Sequence, residues 1–192
     1  MASDMASDGG DDRLLHYDGM EIALHWATAV LVVTLWLIAQ DWSFWPRGSH
    51  GRHVLQSLHV SLGLMFLVIL AARILWRLGP GRRPLPATTG AVEVAAELTH
   101  YALYALLLAQ VVLGVLWRWG NQDPLSLFGL FTIPSPTVFS KPVTHLFGDL
   151  HATIGNGILI LAGLHAAAAL FHHFVLRDGV LRRMLPNGSR RR

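Results

Sequence analysis

Histidines recur inside long apolar segments of this chain, where ionisable side chains are costly and usually functional. The clearest case is the stretch 148–173, which carries His151, His165 and His172. A helix turns ~100° and rises ~1.5 Å per residue, so the step from His151 to His165 returns the side chain to within about 40° of the same face, ~21 Å further along. The spacing therefore predicts two imidazoles on one face of one helix, at two depths.

Four apolar segments are long enough to cross a bilayer, for which about 20 residues suffice. They run from about 20 to 40, 54 to 76, 94 to 117 and 143 to 176. His25 lies near the start of the first segment and His59 near the start of the second. We therefore expect an all-α membrane protein, a bundle of four transmembrane helices in which these histidines meet the pair on the fourth helix.

The composition agrees with a membrane protein, because 53% of the 192 residues are hydrophobic and only 14% are charged. An average soluble domain has roughly 25% charged residues. The chain has no cysteine, which excludes disulfides, thiolate metal sites, iron–sulfur clusters and covalent c-type haem attachment. The arginines gather at segment ends, a pattern that indicates orientation in a membrane rather than nucleic-acid binding.

Three regions are predicted along the chain. Residues 1–19 are acidic and small, and we expect a disordered leader there. Residues 20–187 form a single four-helix membrane domain, and its longest loop, 118–147, is apolar enough to fold back onto the bundle. Residues 188–192 form a basic tail.

The basic residues also predict the orientation of the bundle. Four spans put both termini and the second-to-third linker on one side, together with eleven arginines: Arg13, Arg73, Arg77, Arg82, Arg83, Arg177, Arg182, Arg183, Arg190, Arg191 and Arg192. The opposite side has four basic residues: Arg47, Arg52, Arg118 and Lys141. The positive-inside rule then places both termini in the cytoplasm.

Orientation assigns a depth to each histidine. His25 enters with the first span from the cytoplasm and lies in the inner half, as does His165 at the far end of the fourth span. His59 and His151 enter from outside and lie in the outer half. Two pairs at matched depths result: His59 with His151, and His25 with His165.

Two neutral imidazoles that face each other across a bundle can be the axial ligands of a b-type haem. Because both axial positions are then filled, such a haem favours electron transfer over oxygen binding. Two stacked sites would carry electrons across the membrane. Zinc is the rival metal, but the histidines form two separate pairs, and no cysteine or buried carboxylate completes a tetrahedral set.

For each of several other polar residues near these pairs, the sequence allows two roles, one at a cofactor and one unrelated to it. His172 lies about 20° from the face of His165 and ~10 Å beyond it, where it contacts either a haem propionate or quinone headgroup, or only the membrane interface. Arg73 and Arg77 either pair with a propionate or quinone, or extend to anionic lipid. His100 either hydrogen-bonds a cofactor or makes a polar contact between helices.

Several motifs together resemble the bacterial cytochrome b561 family over about residues 18 to 187. They are Ile22-Ala-Leu-His25-Trp26, Leu58-His59-Val-Ser-Leu-Gly63, Leu150-His151, and Gly163-Leu-His165 continuing to His172-His173. The resemblance implies a four-helix cytochrome of the bacterial inner membrane with two b haems, whose ligands are His25, His59, His151 and His165. It also implies electron exchange with the quinone pool.

At least one member of this family is a superoxide oxidase, so the resemblance makes superoxide the expected electron donor and ubiquinone the expected acceptor. Two alternatives stay open. In the first, the chain is an electron-transfer subunit for a partner dehydrogenase or hydrogenase. In the second, it is a non-enzymatic haem-binding or sensing bundle. The expected partners are therefore the lipid bilayer, quinone, superoxide and, under the first alternative, a redox protein.

Overall fold

The structure is a computed structural model that describes residues 16–81, 84–86 and 88–186. The predicted leader lies outside these ranges except for its last four residues, and so does the whole predicted basic tail. Arg82 and Arg83 of the second-to-third linker also lie outside the described residues.

Four long helices dominate the chain: α1 (Gly19–Asp41), α2 (His50–Leu78), α3 (Ala91–Gly120) and α4 (Lys141–Phe171). Each is long and apolar enough to cross a membrane, which confirms the prediction of a four-span helical bundle. A π-helical turn, His172–Leu176, extends α4. The helices begin or end a few residues beyond the predicted spans, because polar residues such as those at 50–53 join the first turns instead of the loops.

Local chemistry sets the helix ends. The Asp18 carboxylate accepts a hydrogen bond of 2.9 Å from the Glu21 amide at the start of α1, and the Ser49 hydroxyl accepts one from the Arg52 amide at the start of α2. Such caps satisfy amides that have no partner inside a helix. Before α3, Gly90 has φ +67°, a conformation that side chains disfavour.

The bundle consists of two helix pairs. Helix α1 packs along α2, and α3 packs along α4, whereas the backbones of the two pairs approach each other in few places. A buried apolar cluster at mid-bundle joins the pairs: Leu31, Phe66, Leu70, Leu107 and Ile158.

The predicted loop 118–147 is partly ordered and lies on the bundle. Strands β1 (Leu125–Leu127) and β2 (Phe131–Ile133) form an antiparallel β-hairpin. Leu125 is buried, and the Ser61 hydroxyl of α2 donates to the Ser126 carbonyl over 3.1 Å and accepts from the Phe128 amide over 2.9 Å. The β-hairpin therefore covers one end of the bundle, which we call the β-hairpin end.

The opposite end, the terminal end, joins the start of α1, the α2–α3 linker and the C-terminal segment. The Trp26 indole donates to the Met184 carbonyl over 2.8 Å, and the Arg183 guanidinium donates to the Leu85 carbonyl over 2.6 Å. A short 3-10 helix, Leu181–Met184, brings these groups into reach.

Candidate functional site

Two histidine pairs bridge the space between the helix pairs, one at each level of the bundle. At the β-hairpin end, the ring centroids of His59 on α2 and His151 on α4 are 6.2 Å apart. At the terminal end, those of His25 on α1 and His165 on α4 are 6.4 Å apart. The structure thus brings together the residues that the sequence pairs by depth, and one helix, α4, contributes to both levels.

These separations suit a metal held between two imidazoles. A metal–nitrogen bond is about 2 Å long, and the ring centre lies about 1 Å behind the coordinating nitrogen. Two such ligands on opposite sides of one metal therefore place their ring centres about 6 Å apart. Both pairs have this separation, and the backbones of the two helix pairs approach each other in few places.

The β-hairpin-side pair, His59 and His151, is held by main-chain carbonyls. His59 Nδ1 lies 3.1 Å from the Leu35 carbonyl, and His151 Nδ1 lies 2.9 Å from the Gln110 carbonyl. Since a carbonyl only accepts, each Nδ1 carries the proton and donates. The Nε2 atoms are then unprotonated and able to bind a metal, as in most metal-binding histidines.

Aromatic rings and an amide flank this pair. The Trp42 ring centroid is 5.0 Å from that of His59, and that of Trp117 is 6.1 Å from that of His151. The Gln110 side-chain nitrogen is 3.3 Å from His151 Nε2. The side chains of these three neighbours are uncharged.

The terminal-side pair, His25 and His165, has cationic surroundings instead. Arg73 Nη2 donates to His25 Nδ1 over 2.8 Å, and the same guanidinium lies 5.1 Å from the ring centre of Tyr104. Arg73 therefore points into the bundle and not to the lipid headgroups. Its neighbour Arg77 lies 3.7 Å from the carboxylate of Glu21, a residue that is only 2% exposed.

Two further histidines lie at the terminal end. The ring of His100 on α3 is 5.1 Å from that of His165, so a third imidazole borders this pair. His172 contacts the Asp178 carboxylate through Nδ1. The hydrogen bond from His172 lowers the pKa of Asp178.

The donor set favours pairs over a tetrahedral site. Among the described residues, no group of three or more histidine, aspartate or glutamate side chains is arranged to hold a metal ion. Zinc in a structural site takes four protein ligands. A b-type haem needs only two protein ligands, and two opposed imidazoles can supply them.

Sequence reasoning did not assign Glu21, Gln110 and the flanking tryptophans to the site. A carboxylate or an amide within an apolar span is itself a signal of function, and this signal was available for Glu21 and Gln110. Trp42 and Trp117 carried none, because tryptophan is common at membrane interfaces for reasons unrelated to a site.

The chain is similar to known bacterial proteins over nearly its whole length. The sequence profile of the family described as prokaryotic cytochrome b561 matches residues 16–187. Cytochrome b561 homolog 2 of Escherichia coli K12 is 31% identical over 180 residues, which are 90% of this chain and 93% of that protein.

Two other relatives have similar coverage. The probable superoxide oxidase CybB of Yersinia pestis is 29% identical over 171 residues, 88% of this chain and 96% of that protein. Cytochrome b562 of Cereibacter sphaeroides is 32% identical over 173 residues, 88% of this chain and 94% of that protein. The four spans, the paired histidines and these matches lead to one conclusion: the chain belongs to the prokaryotic cytochrome b561 family, the haem-binding, electron-transferring b-type cytochromes of bacterial membranes.

Proposed function

We propose that the chain is a di-haem superoxide:ubiquinone oxidoreductase, a superoxide oxidase, of the bacterial inner membrane. His59 with His151, and His25 with His165, are the axial ligand pairs of its two b haems. The observation that carries the proposal is the presence of two opposed imidazole pairs, 6.2 and 6.4 Å apart, at two levels of one bundle. Two such levels provide a route for electrons along the membrane normal.

Each haem would be held by one of the two histidine pairs and would supply a one-electron centre. The protein's part is to hold the four imidazoles opposed and, at the β-hairpin side, to hold His59 and His151 in the coordinating tautomer. The Leu35 and Gln110 carbonyls do this at the β-hairpin side by accepting from Nδ1. The net reaction oxidises two superoxide anions to two molecules of oxygen and reduces one quinone, which takes up two protons, to quinol.

The arginine distribution of the sequence supports an orientation with both termini in the cytoplasm. The β-hairpin side then faces outward, where superoxide would arrive. The name of the Yersinia relative, probable superoxide oxidase, supports superoxide as donor at 29% identity.

We also propose that Arg73 and Arg77 contact a haem propionate or the quinone at the terminal end. The guanidinium of Arg73 supports this, since it lies within the bundle beside His25. His172 is proposed for the same region, although its imidazole is paired with Asp178.

The purified chain tests this proposal directly. We expect a red preparation with reduced b-type absorption bands, about two haems per chain, and ubiquinone reduction driven by enzymatically generated superoxide. Added superoxide dismutase should abolish quinone reduction without changing haem content. A colourless, folded preparation from haem-replete cells would overturn the haem assignment, and quinone reduction insensitive to the dismutase would overturn the donor.

The second candidate function is that of an electron-transfer subunit for a partner dehydrogenase or hydrogenase. Exposed apolar side chains on the β-hairpin favour it, since Phe128, Leu130 and Phe131 are 51%, 81% and 52% exposed and apolar patches outside the bilayer often mark protein contacts. Haem reduction that requires an added dehydrogenase would support this candidate. Haem that exchanges no electrons with quinones would support a sensing bundle instead.

A further inference from the structure

Helix α3 carries none of the proposed haem ligands, yet it encloses one of them. A Cβ atom built on Gly114 would lie 2.8 Å from Cε1 and 3.2 Å from Nδ1 of His151. Real side chains do not approach so closely, so the imidazole occupies space that only glycine leaves open. The position of the His151 ring therefore depends on a residue of the neighbouring helix.

One turn before Gly114, Gln110 contacts the same imidazole twice. Its carbonyl accepts from His151 Nδ1 over 2.9 Å, and its side-chain nitrogen lies 3.3 Å from His151 Nε2. Within the described part of the chain, its side-chain oxygen is buried and accepts no hydrogen bond. A buried oxygen without a hydrogen bond is energetically costly. That the Gln110 amide is kept beside the proposed ligand nitrogen despite this cost points to a role there.

The fit between the helices is reciprocal. A Cβ atom on Gly155 of α4 would lie 3.0 Å from the side-chain nitrogen of Gln110. Gly114 thus makes room for His151, and Gly155 makes room for Gln110. No corresponding contact is found at Gly157 or Gly163 of α4, since no described atom lies within 4 Å of a Cβ atom built on either.

We propose that Gly114 and Gln110 are positioning residues of the β-hairpin-side haem. Gly114 sets the place of the His151 ring, the Gln110 carbonyl sets its tautomer, and the Gln110 amide directs a positive dipole at its coordinating edge. The inference rests on the proposed ligand role of His151. It assigns to α3, a helix without proposed ligands, control over the β-hairpin-side haem.

The main test is Gly114→Ala. The added methyl group collides with a ring that is held by its Nδ1–H, so the ring must turn or move. We expect the haem content of the intact chain to fall by about half, or the low-spin electron paramagnetic resonance signal of one haem to shift while that of the other stays unchanged. Gly157→Ala is the matched control, because it makes the same change in α4 where space is open, and it should keep both signals.

The second test is Gln110→Leu, which removes the amide but keeps the main-chain carbonyl. We expect two haems per chain, with the reduction potential of the β-hairpin-side haem lowered because a dipole that favours the added electron is lost. Since the Nε2 lone pair would bind the iron, the amide acts as a dipole and not as a hydrogen-bond donor, and at a fixed potential the ratio of reduced to oxidised haem should fall about twofold or more. The terminal-side haem should be unaffected.

The outcomes separate this inference from the proposed function. If wild type lacks two haems, or if His151→Ala keeps both, the ligand assignment fails. If wild type and His151→Ala behave as expected but Gly114→Ala matches Gly157→Ala, the positioning role of Gly114 is overturned. If Gly114→Ala does not fold, Gln110→Leu becomes the deciding test. An unchanged reduction potential of the β-hairpin-side haem in that variant would overturn the inference.

Discussion

At the scale of single residues, the two histidine pairs differ in the charge that surrounds them. Carbonyl groups hold His59 and His151, whereas a guanidinium lies 2.8 Å from His25. A cation stabilises an added electron through Coulomb attraction, most strongly where water is excluded. For the two haems proposed above, we therefore predict a higher reduction potential at the terminal side, which would draw electrons from the β-hairpin side.

Removal of one β-hairpin-side ligand should affect one haem only. We predict that His59→Ala and His151→Ala each release the β-hairpin-side haem and keep the other, because His25 and His165 lie on the far side of the apolar mid-bundle cluster. The measurement is the haem-to-protein ratio with the spectrum of the remaining haem. His53→Ala, an exposed position on the same helix as His59, is the control. Loss of both haems, or of neither, would contradict the pairing.

Arg73 gives a second prediction at this scale. Arg73→Gln should lower the reduction potential of the terminal-side haem, and reduce its reduced-to-oxidised ratio at a fixed potential by about tenfold, because a charge beside the ligand is removed. Arg73→Lys, which keeps the positive charge, should lower the potential less than Arg73→Gln does. Potentiometric titration of both haems is the measurement, with Arg118→Gln at the other end as control. An unchanged potential in Arg73→Gln would refute the charge argument.

At the scale of elements, one buried hydroxyl of α2 bonds the backbone of the β-hairpin. Ser61 is only 1% exposed, and its hydroxyl bonds the hairpin backbone at Ser126 and Phe128. Ser61→Ala leaves the Phe128 amide without its acceptor, which costs about 1–3 kcal/mol when such a group is buried. We predict faster hydrogen exchange over 125–133, and Ser57→Ala, at an exposed position one turn earlier, should show no such increase. Equal exchange in the two variants would contradict this.

The turn after α4 gives a pH-dependent prediction. The hydrogen bond from His172 lowers the pKa of Asp178, so the carboxylate stabilises this turn above its ordinary pKa of about 3.9. The contribution is lost as the pH falls through the lowered value, because the protonated acid no longer pairs. Hydrogen exchange over 177–184 should therefore rise at acid pH in wild type. Asp178→Asn should show the raised exchange already at neutral pH, and a variant that matches wild type there would contradict the prediction.

At the scale of the whole molecule, the paired histidines lie between two helix pairs whose backbones approach each other in few places. A group that binds the folded state alone stabilises it according to its affinity. We predict that the haem-loaded chain unfolds at a higher temperature than the chain from haem-depleted cells, with His59→Ala in between. Thermal unfolding in one detergent is the measurement. Identical unfolding temperatures would show that the bundle does not depend on haem for its cohesion.

The sequence by itself determined the number of spans and the histidine stripe. A bilayer demands about 20 apolar residues per helix, so hydropathy alone locates four helices to within a few residues. Helical periodicity then puts His151 and His165 on one face. Depth along the membrane normal follows from counting residues, and this was sufficient to pair His59 with His151 and His25 with His165.

Only the tertiary structure decided which side chains of other helices support these histidines. Gln110 and His151 are 41 residues apart in the chain, Arg73 and His25 are 48 apart, and Ser61 and Ser126 are 65 apart. Periodicity gives the direction of a side chain on its own helix, but it does not say which helix packs there or how closely. The space that Gly114 leaves for His151, and Gly155 for Gln110, exists only once the two helices are packed.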